Sequence, residues 1–229
     1  ELEALLRRGV EPSVQTLRIG VLSTMSRNFV KALVAPLLQN TSVRMNLYSA
    51  DLVSLLDGMT KHRLDLVLSN VNVVSDNHLD AAQQQLWQSQ LLARQPVSIV
   101  GPARDKPSQA FPEGYREKAW ILPGRSSDIR TAFDGFCAMW NLDPVVRAEA
   151  DDMAMLRLLT RDSGALSVLP PVVVRDEIEQ GTLVEYLPLP NVFESFYAIT
   201  VKRQFMPEAL ASLLARPALD ALVPVAGHE

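Results

Sequence analysis

The sequence predicts an α/β fold with two lobes that face each other across a cleft. One basis for this prediction is that short apolar strands alternate with segments of helical periodicity. A second is a pattern that occurs twice, in which an apolar strand runs into a serine-rich turn and the turn opens a helix. A third is a final strand and helix that have no sequence neighbour to pair with, which indicates a return to the first lobe.

The first lobe begins as a β-α-β-α-β run, which predicts a parallel sheet with right-handed crossovers. Pro36 lies within the first helix, so we expect a kink or an early end of that helix near Ala35. Ligands of such sheets lie beyond the carboxyl ends of the strands, which here are followed by Ser23–Ser26 and Ser69–Asn72. The predicted elements are strands Leu17–Leu22, Val43–Tyr48 and Leu64–Leu68, and helices Arg27–Gln39 and Asp51–His62.

The second lobe follows a strand-like segment, Leu86–Val100, and a surface loop at residues 103–118 that is rich in proline and charge. Pro188–Pro190 marks a boundary, after which strand Phe196–Val201 and helix Pro207–Arg216 return to the first lobe. The elements predicted between these points are strands Ala119–Leu122, Val145–Ala150, Gly164–Leu169 and Leu183–Leu187, and helices Asp128–Asn141, Asp152–Arg161 and Val172–Gln180.

Two crossovers between the lobes are expected, near Val97–Gly101 and Pro190–Ser195. The first lobe then comprises residues 17–98 and 195–229, and the second lobe comprises residues 99–194. Residues 1–16 are predicted to be the end of a helix, Glu1–Gly9, followed by a linker. A helix that ends before the first strand implies a further segment upstream.

The composition limits the classes of protein to which this chain can belong. Of the 229 residues, 48% are hydrophobic, which is enough for a substantial core. The net charge of −4 argues against a dominant nucleic-acid surface, which needs clustered Lys and Arg. Cys137 is the one cysteine, so an internal disulfide is excluded, and its apolar setting predicts a buried structural thiol. No stretch approaches the roughly eighteen apolar residues of a membrane span, so no membrane partner is expected.

Catalytic motifs are absent from the sequence, so we expect no enzyme, no metal site and no cofactor. The three histidines are widely separated, and no HExxH, GxSxG, Walker A or GxGxxG motif occurs. Asp151 and Asp152 are adjacent carboxylates, but they stand where a helix is predicted to begin. Capping and complementarity to the helix dipole explain them there.

The two serine-rich turns are the best candidates for a binding site. Each places hydroxyls and free backbone N–H groups at a helix N-terminus, which suits a negatively charged or polar ligand. Simple N-capping by Ser26 and Ser126 is an equally good explanation at this stage. Arg125 adds a guanidinium that suits a carboxylate or phosphate, although a surface salt bridge with Asp128 would also account for it.

The order of elements after about Leu17 resembles the effector-binding domain of LysR-type transcriptional regulators. LRIGVLSTMSRNFV resembles the first strand, hydroxyl-rich turn and helix of that family, and LLDGMTKHRLDLVLSN resembles its leucine-rich helix and following strand. GALSVLP resembles its G-hydrophobic-x-x-L-P element, and GTLVEYLPLP with FYAITVKR resembles its return crossover. Residues 122–126 and 151–156 resemble the members that activate sodium/proton antiporter genes.

The resemblance implies a type 2 periplasmic-binding-protein-like fold with two Rossmann-like lobes. It implies a cytoplasmic sensor of a small molecule or ion, with DNA bound through an N-terminal winged helix-turn-helix outside this chain. Two carboxylates at Asp151 and Asp152 disfavour an anion at that point and leave a cation or an amide-bearing effector open. The implied ligand-binding residues are Ser23, Thr24, Met25, Ser26, Ser69, Asn70, Gly124, Arg125, Ser126, Asp152, Met153 and Pro170.

The helix at Arg27–Gln39 carries two apolar stripes, one through Phe29 and one through Val30, which is wider than packing on one sheet requires. A deeply buried helix explains this, and so does contact with a second subunit. The resemblance implies antiparallel pairing of two such domains and a tetramer of the complete regulator. The last helix, with Leu210, Leu213 and Leu214, is expected to supply the opposite surface of the homodimer.

Two other functions remain open from the sequence. A periplasmic solute-binding protein of a transporter would have the same fold, although the helical segment before the first strand argues against it. An enzyme on the same scaffold is disfavoured by the absence of catalytic motifs.

Overall fold

Strands and helices alternate along the chain, as the sequence predicts. A computed structural model describes residues 14–74, 86–202 and 206–215. The predicted helix at Glu1–Gly9 lies outside the described residues. The strands are β1 (Gln15–Leu22), β2 (Val43–Ala50), β3 (Leu66–Ser69), β4 (Trp87–Pro102), β5 (Ala119–Pro123), β6 (Val145–Ala150), β7 (Ser167–Leu169) and β8 (Leu183–Val201). The α-helices are α1 (Arg27–Val34), α2 (Leu52–Thr60), α3 (Asp128–Met139), α4 (Met153–Ser163), α5 (Arg175–Glu179) and α6 (Glu208–Leu214).

The first lobe, which we define as β1, β2, β3, α1, α2 and α6, is built on parallel strands. β1 pairs in parallel with β2 along its whole length and with β3 on its other side. The parallel sheet predicted for this run is therefore confirmed. β3 pairs in antiparallel fashion with the last part of β8, through Val67 and Ile199. The end of the chain thus returns to the first lobe.

The second lobe, which we define as β5, β6, β7, α3, α4 and α5, has a small sheet of its own. β5 pairs in parallel with β6. Backbone hydrogen bonds join Ile121 N to Leu166 O at 2.9 Å and Leu166 N to Ala119 O at 2.8 Å, which attaches β5 to the start of β7. β7 in turn pairs with the second half of β4. Among the described strands, the two lobes therefore share β4 and β8.

The shared strands run antiparallel to each other from Trp87 opposite Val201 to Pro102 opposite Leu183. The prediction of separate strands at Leu183–Leu187 and Phe196–Val201 is wrong, because β8 continues through Pro188 and Pro190. The half of β8 that contains Pro188 and Pro190 pairs only with β4 among the described strands. Its other edge has no strand partner there, so the backbone N–H that a proline lacks is not needed for pairing on that edge. The residue boundaries of the two lobes stay a prediction.

Each lobe has its own core. The larger cluster surrounds β1, β3 and α1 and includes residues of the second lobe such as Met153 and Val173. The smaller cluster lies wholly in the second lobe and the adjoining shared strands, around Trp120 and Phe133. Burial raises the pKa of Cys137 to about 12, so this thiol belongs to the second core as predicted. None of the helices in the described parts of the chain is long and apolar enough to cross a bilayer.

Both apolar stripes of the first helix are buried within the chain. Phe29, Leu33, Val30 and Val34 are all buried, whereas Leu38, in the 3-10 segment that follows α1 at Ala35–Gln39, is 70% exposed. The change from α-helix to 3-10 helix occurs beside Pro36, where the sequence predicts a kink.

The leucines of the last helix are buried too. Leu210, Leu213 and Leu214 pack into the core of their own chain. The expectation that they supply a surface for a second subunit is therefore wrong, because their area is already used in folding.

The start of α1 joins the two lobes. Ser26 Oγ accepts a hydrogen bond from Phe29 N and caps the helix. Two residues later, the buried Asn28 donates from Nδ2 to the carbonyl oxygens of Val172 and Val173 at 3.1 and 3.2 Å. Positioning the first turn of α1 therefore positions the second lobe against the first.

Replacing Ser26 with Ala is expected to lower the free energy of unfolding by about 1 kcal/mol, because the helix loses its N-cap. Urea denaturation at neutral pH would show a lower midpoint with an unchanged slope. Ser212→Ala, on the exposed face of α6, is the matched control and should stay within about 0.5 kcal/mol of the parent. Equal midpoints for the two variants would contradict this role of Ser26.

Candidate functional site

A cavity of about 640 Å³ lies between the two lobes, which is the size of a small-molecule site. Its first wall comes from the ends of β1 and β3, its second wall from the turn after β5 and the start of α4, and its floor from β8. The residues that line it are Thr24, Leu52, Asn70, Val71, Asn72, Pro123, Gly124, Ser126, Ser127, Asp128, Ile129, Ala150, Asp151, Met153, Leu156, Phe193, Glu194, Ser195 and Tyr197.

A chain of side-chain hydrogen bonds connects the first wall to the floor. Thr24 Oγ1 donates to Asn70 Oδ1 at 2.9 Å, and Asn70 Nδ2 donates to Glu194 Oε1 at 2.8 Å. Asn70 is thereby fixed in one orientation, with its acceptor towards the first serine turn and its donor towards β8. These hydrogen bonds join the turns that follow β1 and β3 to β8, three segments that are far apart in the sequence.

Glu194 is the most unusual group in the cavity. The residue is 6% exposed, and its second oxygen, Oε2, is buried without a hydrogen-bond partner among the described residues. Burial raises the pKa of Glu194, the bond from Asn70 opposes the shift and the charge of Asp128 adds to it, and together they bring the pKa to about 7. A carboxyl in this state changes its charge near neutral pH and has one acceptor available.

The second wall is a helix N-terminus. Ser127 is the N-cap of α3, but its side chain makes no capping hydrogen bond, and Asp128 follows in the first turn. Gly124 lies against the carboxylate of Asp151, so closely that a Cβ at this position would overlap it. The missing side chain of Gly124 is what allows Asp151 to reach this wall.

The structure brings members of the two serine turns to the same cavity, which is what the repeated pattern suggests. Thr24 comes from the first turn and Gly124 and Ser126 from the second, and they line one space. Of the other predicted site residues, Asn70 and Met153 line it as well. Whether these residues bind a ligand stays a prediction.

The remaining predicted site residues do not line the cavity, for physical reasons that differ. Ser26 is the buried cap of α1, Met25 is fully buried beneath it, and Pro170 is buried at the start of a 3-10 helix. Ser69 Oγ bonds to both backbone groups of Val71 and so shapes the turn after β3. These residues hold the walls rather than face the cleft.

Ser23 and Asp152 each take part in a contact between the lobes. The carbonyl oxygen of Ser23 accepts from Met153 N at 3.3 Å, and Arg27 lies 3.6 Å from the carboxylate of Asp152. Asp152 also caps α4 by accepting from Met155 N. This contact closes one end of the cleft.

Arg125 points away from the cavity. Its side chain is 79% exposed and lies 3.5 Å from Glu149, rather than from Asp128 as the sequence suggested. The argument for an anionic ligand at this turn therefore loses the guanidinium on which it depended.

The sequence analysis does not predict Glu194 or the aromatic residues beside it as members of the site. The strand alternates, and residues 194, 196 and 198 are all buried. A lone glutamate in phase with buried Phe196 and Ala198 is the signal that could have identified it, because a carboxylate on a core face needs a reason. Phe193 and Tyr197 lie on the same strand and line the cavity as well.

The sequence profile of the LysR substrate binding domain matches residues 11–216, which is most of the chain. The chain belongs to this family. Its fold is the two-lobed, type 2 periplasmic-binding-protein-like fold that the resemblance implied, and the family supports a regulator's effector domain rather than a transport protein.

Individual relatives of this LysR-type domain are distant. The transcriptional activator protein NhaR of Escherichia coli K12 is 24% identical over 195 residues, which cover 84% of this chain and 62% of NhaR. The chain thus spans less than two thirds of the curated relatives it matches. The apo regulatory domain of HypT from Salmonella typhimurium superposes with a TM-score of 0.66 at 15% identity, over 92% of this chain and 97% of that one. The CcmR regulatory domain of Synechocystis PCC6803, in complex with 2-PG, superposes with a TM-score of 0.61 at 16% identity, over 88% and 96%.

Glu194→Gln is expected to stabilise the LysR-type domain at neutral pH. The folded protein holds a proton on Glu194 up to about pH 7, whereas an unfolded glutamate releases it near pH 4.3. The contribution of Glu194 to the free energy of unfolding is thus fully present below about pH 4.3, and it is lost as the pH rises to about 7. The glutamine variant keeps it, so the difference between variant and parent should grow over that window to roughly 3 kcal/mol and then stay constant.

Urea denaturation at several pH values between about 5 and 8 measures this difference. Glu113→Gln, at the exposed start of the 3-10 helix Glu113–Tyr115, makes the same change in net charge and is the matched control. A Glu194→Gln difference that does not vary with pH would contradict the raised pKa.

Proposed function

We propose that this chain is the effector-sensing and dimerisation domain of a LysR-type, DNA-binding transcriptional regulator. The observation that carries the proposal is a small-molecule-sized cavity between two lobes of a LysR substrate binding domain, lined by polar groups from both. We assign DNA binding to a part of the regulator outside this chain, because the net charge here is −4. The regulator works in the cytoplasm, where its DNA is, and binds its effector without turnover.

A ligand in the cavity would act on the contact between the lobes. The wall residues Thr24 and Ser126 come from different lobes, and the Ser23–Met153 contact closes the same cleft. An effector that touches both walls favours the arrangement in which they are close, by as much as its affinity differs between arrangements. That bias is then passed to the DNA-binding part of the regulator.

The relatives support this proposal in general terms. NhaR is a transcriptional activator, and CcmR is a regulator whose domain of this fold holds 2-PG. At identities of 24% and 16%, they do not identify the ligand of this chain.

The ligand site is tested by blocking the cavity. Small carboxylates, amines and alkali-metal salts are compared by thermal shift on the parent domain, where a ligand at about 100 times its Kd adds about 2.7 kcal/mol. Ser126→Trp, an exposed lining residue, should abolish the shift of any true effector. Thr131→Trp, on an exposed position of α3 outside the cavity, should leave it intact.

An effector whose shift is the same in the parent and in both tryptophan variants would bind elsewhere. That result would overturn the cavity as the sensing site.

The homodimer is proposed to form through α1 and the edge strand β2. A groove of about 340 Å³ lies here, and its lining includes Val30, Val34, Leu38, Leu47 and Tyr48, the last three of which are largely exposed. Antiparallel pairing would place this groove against the second lobe of the partner. There the chain exposes apolar side chains on neighbouring elements, namely Val145, Val146, Met155 and Leu158. The complete regulator would assemble as a tetramer.

Leu38→Asp is expected to weaken self-association of the domain by at least tenfold, because it places a charge in the proposed interface. Sedimentation velocity over a range of protein concentrations measures the dissociation constant. Val53→Asp is the matched control, since Val53 is 77% exposed on α2 outside the groove. Equal dissociation constants for the two variants would place the interface elsewhere.

A further inference from the structure

Among the residues that the structure describes, the charged side chains that line the cavity are all acidic. Its charged lining side chains are Asp128, Asp151 and Glu194, which come from α3, the turn before α4, and β8. Carboxylates from three separate elements thus converge on one space. A ligand with a negative charge would meet repulsion from each of them.

The basic side chains around the cleft are occupied outside it. Arg27 pairs with Asp152, and Arg125 lies beside Glu149. Arg94 lies 4.1 Å from the centre of the Phe193 ring. The buried Arg130 donates hydrogen bonds to Asp134 and Glu149. None of these four lines the cavity.

Glu194 Oε2 supplies the independent observation that points to a ligand. Oε1 is satisfied by Asn70, but Oε2 is buried without a partner in the described structure. A buried acceptor without a donor costs free energy, and a charged acceptor costs more. A ligand that donates hydrogen bonds, above all a cationic one, removes this cost.

The cavity also requires an apolar body on the ligand. Leu52, Ile129, Leu156, Phe193 and Tyr197 contribute to its lining, and about 640 Å³ is far more than a bare ion fills. The described residues contain no group of three or more His, Cys, Asp or Glu that could hold a metal. Size and lining together favour a molecule with carbon atoms over an alkali-metal or divalent ion.

We propose that the cleft binds a small organic cation, a primary ammonium or guanidinium on an apolar body, with its charged group against Glu194. This inference rests on the proposed function, since it names the chemical class of the effector at that site. Asp128 and Asp151 add attraction from the second wall, and Asn70 holds Glu194 in place. Gly124 contributes by leaving room for the Asp151 carboxylate.

Binding of such a ligand depends on pH in a defined direction. A cation needs the ionised form of Glu194, so a proton competes with it wherever this carboxyl is protonated. The charge that acts on it is that of Asp128, Asp151 lines the same cavity, and its neighbours Asn70 and, on β4, Gln95 are neutral. The association constant should therefore rise up to about tenfold per pH unit towards pH 7 and level off above it. A carboxylate ligand held by protonated Glu194 would show the opposite trend.

The experiment compares probes of one shape and different charge. Benzylammonium, benzamide and benzoate, together with hexylammonium and hexanoate, are titrated into the parent domain by isothermal calorimetry at about pH 8. We expect heat of binding from the ammonium probes and none from the carboxylates. Sodium chloride against choline chloride, at equal ionic strength, tests for an alkali-metal ion.

Variants assign the binding to Glu194. Glu194→Gln should weaken the ammonium probes roughly ten- to a hundredfold at about pH 8 and remove their dependence on pH. Asp151→Asn should weaken them less. Glu113→Gln is the matched control and should change neither quantity.

The outcomes separate the two proposals. Carboxylates that bind, and are blocked by Ser126→Trp, would overturn the cationic class but leave the sensing cleft in place. The absence of binding by both ammonium probes, or saturable binding of sodium alone, would also overturn the organic cation. Ammonium binding that Ser126→Trp leaves unchanged would overturn both proposals.

Discussion

The antiparallel pairing of β4 with β8 is the interaction on which the rest of the structure depends. Both strands belong to both lobes, so this one ladder connects the two lobes. At its middle, Gln95 lies opposite Glu194 and Pro96 opposite Phe193, and register shifts occur on either side, at Leu91/Ala93 and at Pro96/Ser98. The irregular part of the ladder thus coincides with the floor of the cleft. Bulges commonly re-aim side chains near binding sites.

This placement explains how the domain holds a carboxylate in its interior. Glu194 sits on the buried face of β8, and the pairing of β8 with β4 holds the backbone at this point. Its only compensation among the described residues is the bond from Asn70, which Thr24 orients. The domain therefore carries a local cost in stability at the point where a ligand would remove it. Such a trade of stability for binding is common at functional sites.

Much of the fold could be predicted from the sequence, because each element carries its own pattern. β6 at Val145–Ala150 has the bounds that its apolar alternation predicts, and α3 begins at Asp128 as expected. The errors arose where a neighbour decides the outcome. The sequence around Pro188 predicts the end of a strand, but pairing with β4 continues the strand through this proline. Leu210 and Leu213 read as an interface, but the first lobe buries them.

The sequence by itself determined the alternation of strands and helices, the family and the two turns that flank the cleft, because propensity, periodicity and motif order are local properties. Only the tertiary structure decided which residues of those turns face the cavity. Ser26 and Arg125 have the chemistry of ligand-binding groups. Ser26, however, caps a helix, and Arg125 lies beside Glu149. Glu194 lies far from both turns in sequence, and only the sheet brings it between them. The sign of the charge in a cleft is a sum over side chains from distant segments, so it emerges only once the chain has folded.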